Sequence, residues 1–97
     1  MLALKSTTQL SLAETITLQG IPELDHYYAF DIENGDQFQL NQTAHWVLQA
    51  IGRGVDFQQL LENFIKTFGV DANLAQTDLS EIIIHAFDNQ IIKEIVS

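Results

Sequence analysis

Apolar and polar residues alternate through the first forty positions of this chain and recur at helical spacing thereafter. Between Gln9 and Leu18, Leu10 and Leu12, then Ile16 and Leu18, repeat at a period of two with threonines interleaved, which predicts a strand in that stretch. Gly20, Pro22 and Asp25 then mark a turn or loop. From Tyr27 to Ile32 the alternation is clean. Tyr28, Phe30 and Ile32 share one face, and Tyr27, Ala29 and Asp31 share the other. Glu33-Asn34-Gly35-Asp36 carries the Asn-Gly signal of a tight turn, after which Phe38 and Leu40 face one way and Gln37 and Gln39 the other. Tyr27–Leu40 therefore reads as a β-hairpin.

Three helices are predicted beyond it. Asn41 is placed to cap the first, whose Ala44, Val47, Leu48 and Ile51 fall three and four apart before Gly52 and Gly54 end it. Asp56, with Gln59 three residues on, makes a capping-box pattern. Phe57, Leu60, Leu61, Phe64, Ile65 and Phe68 then form a wide apolar stripe, and Gly69 stands where a left-handed C-terminal residue is expected. Asp71 can cap a third helix with the stripe Ala75, Leu79, Ile82, Ile83, Ala86 and Phe87. Ile91 to Val96 is a short extra strand or a frayed extension, and propensity does not decide between them. Trp46 and Ile84 lie off their helices' main stripes, so each belongs either to a second buried side or to an exposed apolar contact surface. The fold class expected is α+β, a two- or three-stranded antiparallel sheet followed by three helices, like a winged helix-turn-helix in reduced form.

Ninety-seven residues with 46% hydrophobic content predict one folded domain over 1–97, with about 1–9 expected to be flexible. Thirteen acidic residues against four basic ones give a net charge of −9, and Lys5, Arg53, Lys66 and Lys93 are scattered. No basic stripe is available for nucleic acid or anionic lipid, and the third helix has no lysine or arginine between Asp71 and Gln90 with which to read a groove. The acidity fits solubility or attraction to a basic partner. The apolar runs, such as Ile82–Ile84, are only a few residues long and too short to span a membrane, and the apolar start from Met1 to Leu4 is too short for a signal-peptide core, so a cytoplasmic location is expected.

With no cysteine there is no disulfide, thiolate metal site or thiol nucleophile. His26, His45 and His85 are not at metal-ligand spacing, and His45 and His85 fall beside their helices' apolar stripes, as exposed or interface histidines do. The serines lack a nucleophile-elbow context, and Gly52-Arg53-Gly54 reads as an interhelical corner rather than half of a phosphate loop. No catalytic constellation assembles. The expectation is a binding protein without cofactor or metal.

From Tyr28 to Ile92 the chain resembles the PqqD-like family, the recognition elements for ribosomally made precursor peptides. The resemblance rests on Leu40-Asn41-Gln42-Thr43-Ala44 between hairpin and helix, then Val47, Leu48 and Ile51, then Phe57 and Leu60. It continues through Phe68-Gly69-Val70-Asp71 and Asp78-Leu79, to Ile91-Ile92 where the family ends in Gly-Leu-Ile. The chain departs from the pattern at three places. Gly52-Arg53 replaces Asp-Gly, Val55-Asp56 replaces Arg-Thr, and Gln90 replaces the terminal glycine.

The resemblance implies a winged helix-turn-helix domain that binds a precursor's leader peptide as an added strand and presents it to a separate modifying enzyme. A radical S-adenosylmethionine enzyme is one such partner. The edge implied is Asp36, Gln37, Phe38, Gln39 and Leu40, and the groove wall is Asp78, Ile82, His85 and Ala86 on the third helix. An alternative role is a structural or dimerising accessory subunit that pairs the same edge with a second copy.

Overall fold

The computed structural model describes Leu4, Lys5 and residues 7–95. Within them the order is β1 (Leu10–Leu12), β2 (Ile16–Ile21), a 3₁₀ turn (Pro22–Leu24), β3 (His26–Asp31), β4 (Gln37–Leu40), α1 (Gln42–Gly52), α2 (Phe57–Phe68), α3 (Ala72–Asp88) and β5 (Ile92–Glu94). The fold is α+β, with an antiparallel sheet in the order β2-β3-β4, a small second sheet β1-β5, and three helices. Of the expected flexible stretch 1–9, residues 1–3 and Ser6 lie outside the described residues, whereas Thr8 is buried and its carbonyl accepts a hydrogen bond from the Phe57 amide at 2.8 Å.

The alternation from Gln9 to Leu18 belongs to two strands rather than one. The chain turns at residues 13–15, where the Ile16 amide bonds back to the Ala13 carbonyl at 3.0 Å. β1 then pairs with β5 (Ser11 opposite Lys93), and β2 pairs with β3 (Leu18 opposite Ala29). A uniform period of two hides this break, because the residues on either side keep their phase. The Ile91–Val96 alternative resolves as a strand at Ile92–Glu94, with Val96 outside the described residues.

The hairpin is present, but its connection is wider than the two-residue turn that Asn-Gly signals. Asp31 Oδ1 accepts from the amides of Glu33 (2.9 Å) and Asn34 (3.3 Å), and Asn34 Oδ1 accepts from the Asp36 amide at 2.8 Å. These local carboxylate and amide bonds stabilise a five-residue loop with Gly35 at φ +82°. Of the hairpin's two faces, the inner one carries Tyr27 and Ala29, opposite Leu40 and Phe38. Tyr28 and Phe30 face outward, with ring centroids 5.9 Å apart, and Ile32 beyond them is 72% exposed.

The helices begin and end as their caps dictate. Asn41, Asp56 and Asp71 each accept the N3 amide, the box at Asp56 is complete, and Gly69 takes the left-handed conformation at φ 65°. Val47, Leu48 and Ile51 of α1, Phe57, Leu60 and Phe64 of α2, and Ala75, Leu79, Ile83 and Ala86 of α3 meet Leu10, Ala29, Ile91 and Ile92 in one core. Trp46 belongs to that packing. Its ring lies 5.9 Å from Phe64 and 5.3 Å from Phe68, closing an aromatic cluster between α1 and α2, while Ile84 stays 44% exposed.

Candidate functional site

Among the described residues β4 is the end strand of its sheet, so one side of its backbone has no partner strand there. Antiparallel ladders alternate between hydrogen-bonded and non-bonded pairs. The Asp31 amide donates to the Asp36 carbonyl at 2.8 Å, which sets the phase. Counting along the register, Ala29/Phe38 and Tyr27/Leu40 exchange hydrogen bonds within the sheet. The N–H and C=O groups of Gln37 and Gln39 therefore point away from β3, to the open side.

That open side borders a groove of about 510 Å³ between β4 and α3. Leu48, Ala86 and Ile91, all buried, form its floor with the half-buried Phe38, Leu40, Ala44 and Ile82. Gln37, Gln39, Asn41, Glu81 and His85 make a polar, exposed rim. The volume lies within the roughly 300–1,000 Å³ of ligand-binding clefts, and an apolar floor under a few polar groups is their usual chemistry. A smaller recess of about 280 Å³ continues the groove at one end, lined by Asn41, Thr43, Asp78, Glu81 and Ile82.

Of the residues expected from sequence, Gln37, Phe38, Gln39, Leu40, Ile82, His85 and Ala86 come together in the groove. Asp78 lies in the recess at its end, and Asp36 stands in the exposed loop before β4, outside both. Sequence reasoning missed Asn41, Ala44, Leu48, Glu81 and Ile91. The signal for Glu81 was available, because it lies one helical turn before His85 and shares its face. Leu48 and Ile91 read simply as core, and they are core residues whose outer atoms form the groove floor.

His85 is held by Asn89, whose side-chain amide donates to the His85 carbonyl at 2.8 Å and lies 3.4 Å from Nε2. His45 is not an exposed histidine. It is buried beneath the sheet, with its ring 4.7 Å from Tyr27, and burial pulls its pKa below the ordinary imidazole value. Gly20 on β2 has no side chain and leaves room for the Tyr27 ring that lies against His45: a Cβ there would be 2.9 Å from Tyr27 Cδ1. Among the described residues no three His, Asp or Glu side chains gather as a metal site, and no helix is long and apolar enough to cross a membrane.

The family model for coenzyme PQQ synthesis protein D (PqqD) matches residues 27–92. The chain belongs to the PqqD family. The matched span holds β3 from Tyr27 onward, β4 and the three helices α1–α3, so both walls of the groove lie inside it. The fold of this PqqD-family chain is similar to that of TbiB1, whose structure is of a complex with the TbiA(beta) leader peptide. The two superpose with a TM-score of 0.76 at 11% identity, over 90% of this chain and 99% of that one. At that identity the likeness is one of fold. Sequence comparison with curated proteins finds no match.

Proposed function

We propose that this PqqD-family domain is a non-catalytic recognition protein that binds the leader segment of a ribosomally made precursor peptide as a strand added to β4. The observation that carries this reading is the conjunction of an open strand edge with an apolar groove running beside it. The unpaired backbone groups of Gln37 and Gln39 would supply sequence-independent hydrogen bonds, and alternate peptide side chains would drop toward Leu48, Ile82, Ala86 and Ile91. Four residues of edge span roughly 13 Å, room for about two inward-pointing side chains. Support also comes from the family and from TbiB1, a protein of this fold in complex with a leader peptide.

In this reading the groove presents the peptide to a separate modifying enzyme. The class carried over from the family resemblance is the radical S-adenosylmethionine enzymes. The test is a titration of the isotope-labelled domain with leader segments of precursor peptides encoded beside it, followed by backbone amide NMR. Shifts concentrated at Gln37–Leu40 and Ile82–Ala86, with Kd below roughly 1 mM, are the expected result. A folded spectrum with no shifts would remove the reading. Concentration-dependent shifts at Gln37–Leu40 without peptide would instead identify a second copy of the chain as the strand's partner.

A further inference from the structure

The rim of the groove carries charge at one end only. Glu81 lines both the groove and the recess that continues it, and Asp78, one turn earlier on α3, lines the recess beside Asn41 and Thr43. Among the described residues no cation balances them. Lys5, Arg53, Lys66 and Lys93 are absent from both linings, and the ion pair found among the described residues, Lys93 with Glu14 at 2.8 Å, is elsewhere. At the opposite end, beside Gln37, the lining holds no carboxylate, Asp36 lying outside it.

Resting on the strand-addition reading above, we propose that the peptide this groove selects carries a lysine or arginine on the N-terminal flank of its apolar residues. Its cationic side chain enters the recess between Asp78 and Glu81. The end is assigned by the sheet. β2, β3 and β4 are antiparallel throughout, and parallel pairing is slightly weaker per residue, so an added strand runs opposite to β4. The peptide residue beside Leu40 and Asn41 is then the N-terminal one, and the residue beside Gln37 follows it. The selected pattern is a basic residue, one to three positions, and then two apolar residues separated by one. A chain of net charge −9 attracts basic peptides in general. The pair at Asp78 and Glu81 turns that diffuse attraction into a positional preference.

The experiment is selection of a displayed library of random dodecapeptides on the immobilised full chain, run in parallel on the double variant Asp78→Asn, Glu81→Gln and on Gln39→Pro. Both carboxylates are at least partly exposed and their replacements nearly isosteric, so circular dichroism of the double variant should match the parent. The expected outcome is enrichment of alternating apolar residues on the parent, with lysine or arginine concentrated N-terminal to them. The apolar preference should persist on the double variant while the basic one disappears. For one enriched peptide, replacing its cation by alanine should weaken binding about three- to tenfold in low salt, as expected for partly exposed ion pairs. That loss should shrink at high salt and vanish on the double variant. Apolar enrichment without a basic bias, with the bias on the C-terminal side, or with a bias unchanged on the double variant overturns this inference and leaves groove binding intact. Enrichment that survives Gln39→Pro unchanged, or no enrichment at all, overturns strand addition itself.

Discussion

Gln90 follows α3 in the left-handed conformation, at φ 61°, where an L side chain crowds its own carbonyl. The hydrogen bonds around it explain why it is forced there. The Ile91 amide donates to the Ala86 carbonyl at 2.9 Å and the Gln90 amide to the Phe87 carbonyl at 3.0 Å, the paired bonds of a Schellman helix end. The family pattern has glycine at this position. Gln90→Gly should therefore raise stability by about 0.5–1 kcal/mol, the relieved backbone strain less the added freedom of the unfolded chain, as read from denaturant midpoints. His45 makes the opposite kind of prediction. Its folded pKa lies below the unfolded value of about 6.5 because burial disfavours the imidazolium. The unfolded chain then binds the proton first, so the stability tied to neutral His45 is complete above about pH 6.5. It falls as the pH drops below that value toward the folded pKa. Thermal melts between pH 7.5 and 5.5 should show this loss in the parent and a flatter profile in His45→Gln, whose overall stability is lower because the contact with Tyr27 is gone.

β4 is where folding and function make separable demands on one strand. By the alternation of the ladder, the Phe38 amide is committed to β3, whereas the Gln39 amide faces the open edge. Proline at 39 removes only the outward donor and leaves the sheet's own bonds in place, while proline at 38 removes a ladder bond. Gln39→Pro should retain a parent-like melt yet lose the proposed leader-peptide binding by strand addition. Phe38→Pro should lose more than about 2–3 kcal/mol, the cost of the missing bond and the orphaned Ala29 carbonyl, because the Phe38 ring packed against the core goes with it. Elements of this kind were legible in the sequence because their determinants are local. Asn41, Asp56 and Asp71 cap helices through amides three residues away, and the Tyr27–Leu40 hairpin pairs neighbours in the chain. The alternation marks Gln37–Leu40 as a strand, whereas its being the open edge is what the family resemblance implies. The break at residues 13–15 was not legible, because nothing in the phase of Leu10, Leu12, Ile16 and Leu18 changes where the chain passes from one sheet to the other. The contributions of Leu48 and Ile91 to the groove were likewise hidden, since a side chain that is core on one side and floor on the other has the hydrophobicity of core alone.

β1 ties together parts of the molecule that are far apart in sequence, and it lies outside the span that matches the family. Leu10 is almost fully buried in the common core. Its strand pairs with β5, the Ile95 amide donates to the Gln9 carbonyl at 2.8 Å, and Gln9 bridges to Asp56 at the start of α2. Lys93 of β5 and Glu14 in the turn after β1 add an ion pair, worth little because both ends are exposed to water. The burden therefore falls on Leu10 and the backbone bonds. Leu10→Ala should cost about 2–5 kcal/mol, a large part of the roughly 5–15 kcal/mol that holds a domain of this size together. A chain beginning at Tyr27 would lose more. β5 would have no strand to pair with, Ile92 would be uncovered, and β3 would become a second open edge bordered by Ala29. Both walls of the groove would still be encoded in that shorter chain, so a purely local site would keep its binding. The structure makes the opposite prediction: the groove floor is Leu48, Ala86 and Ile91, and Ile91 is held in place by the bond from the Ala13 amide to its carbonyl at 2.9 Å. The shortened chain should show no cooperative melt and none of the leader-peptide binding proposed for the full chain. A folded, binding-competent fragment would place the domain's essential core wholly within residues 27–92.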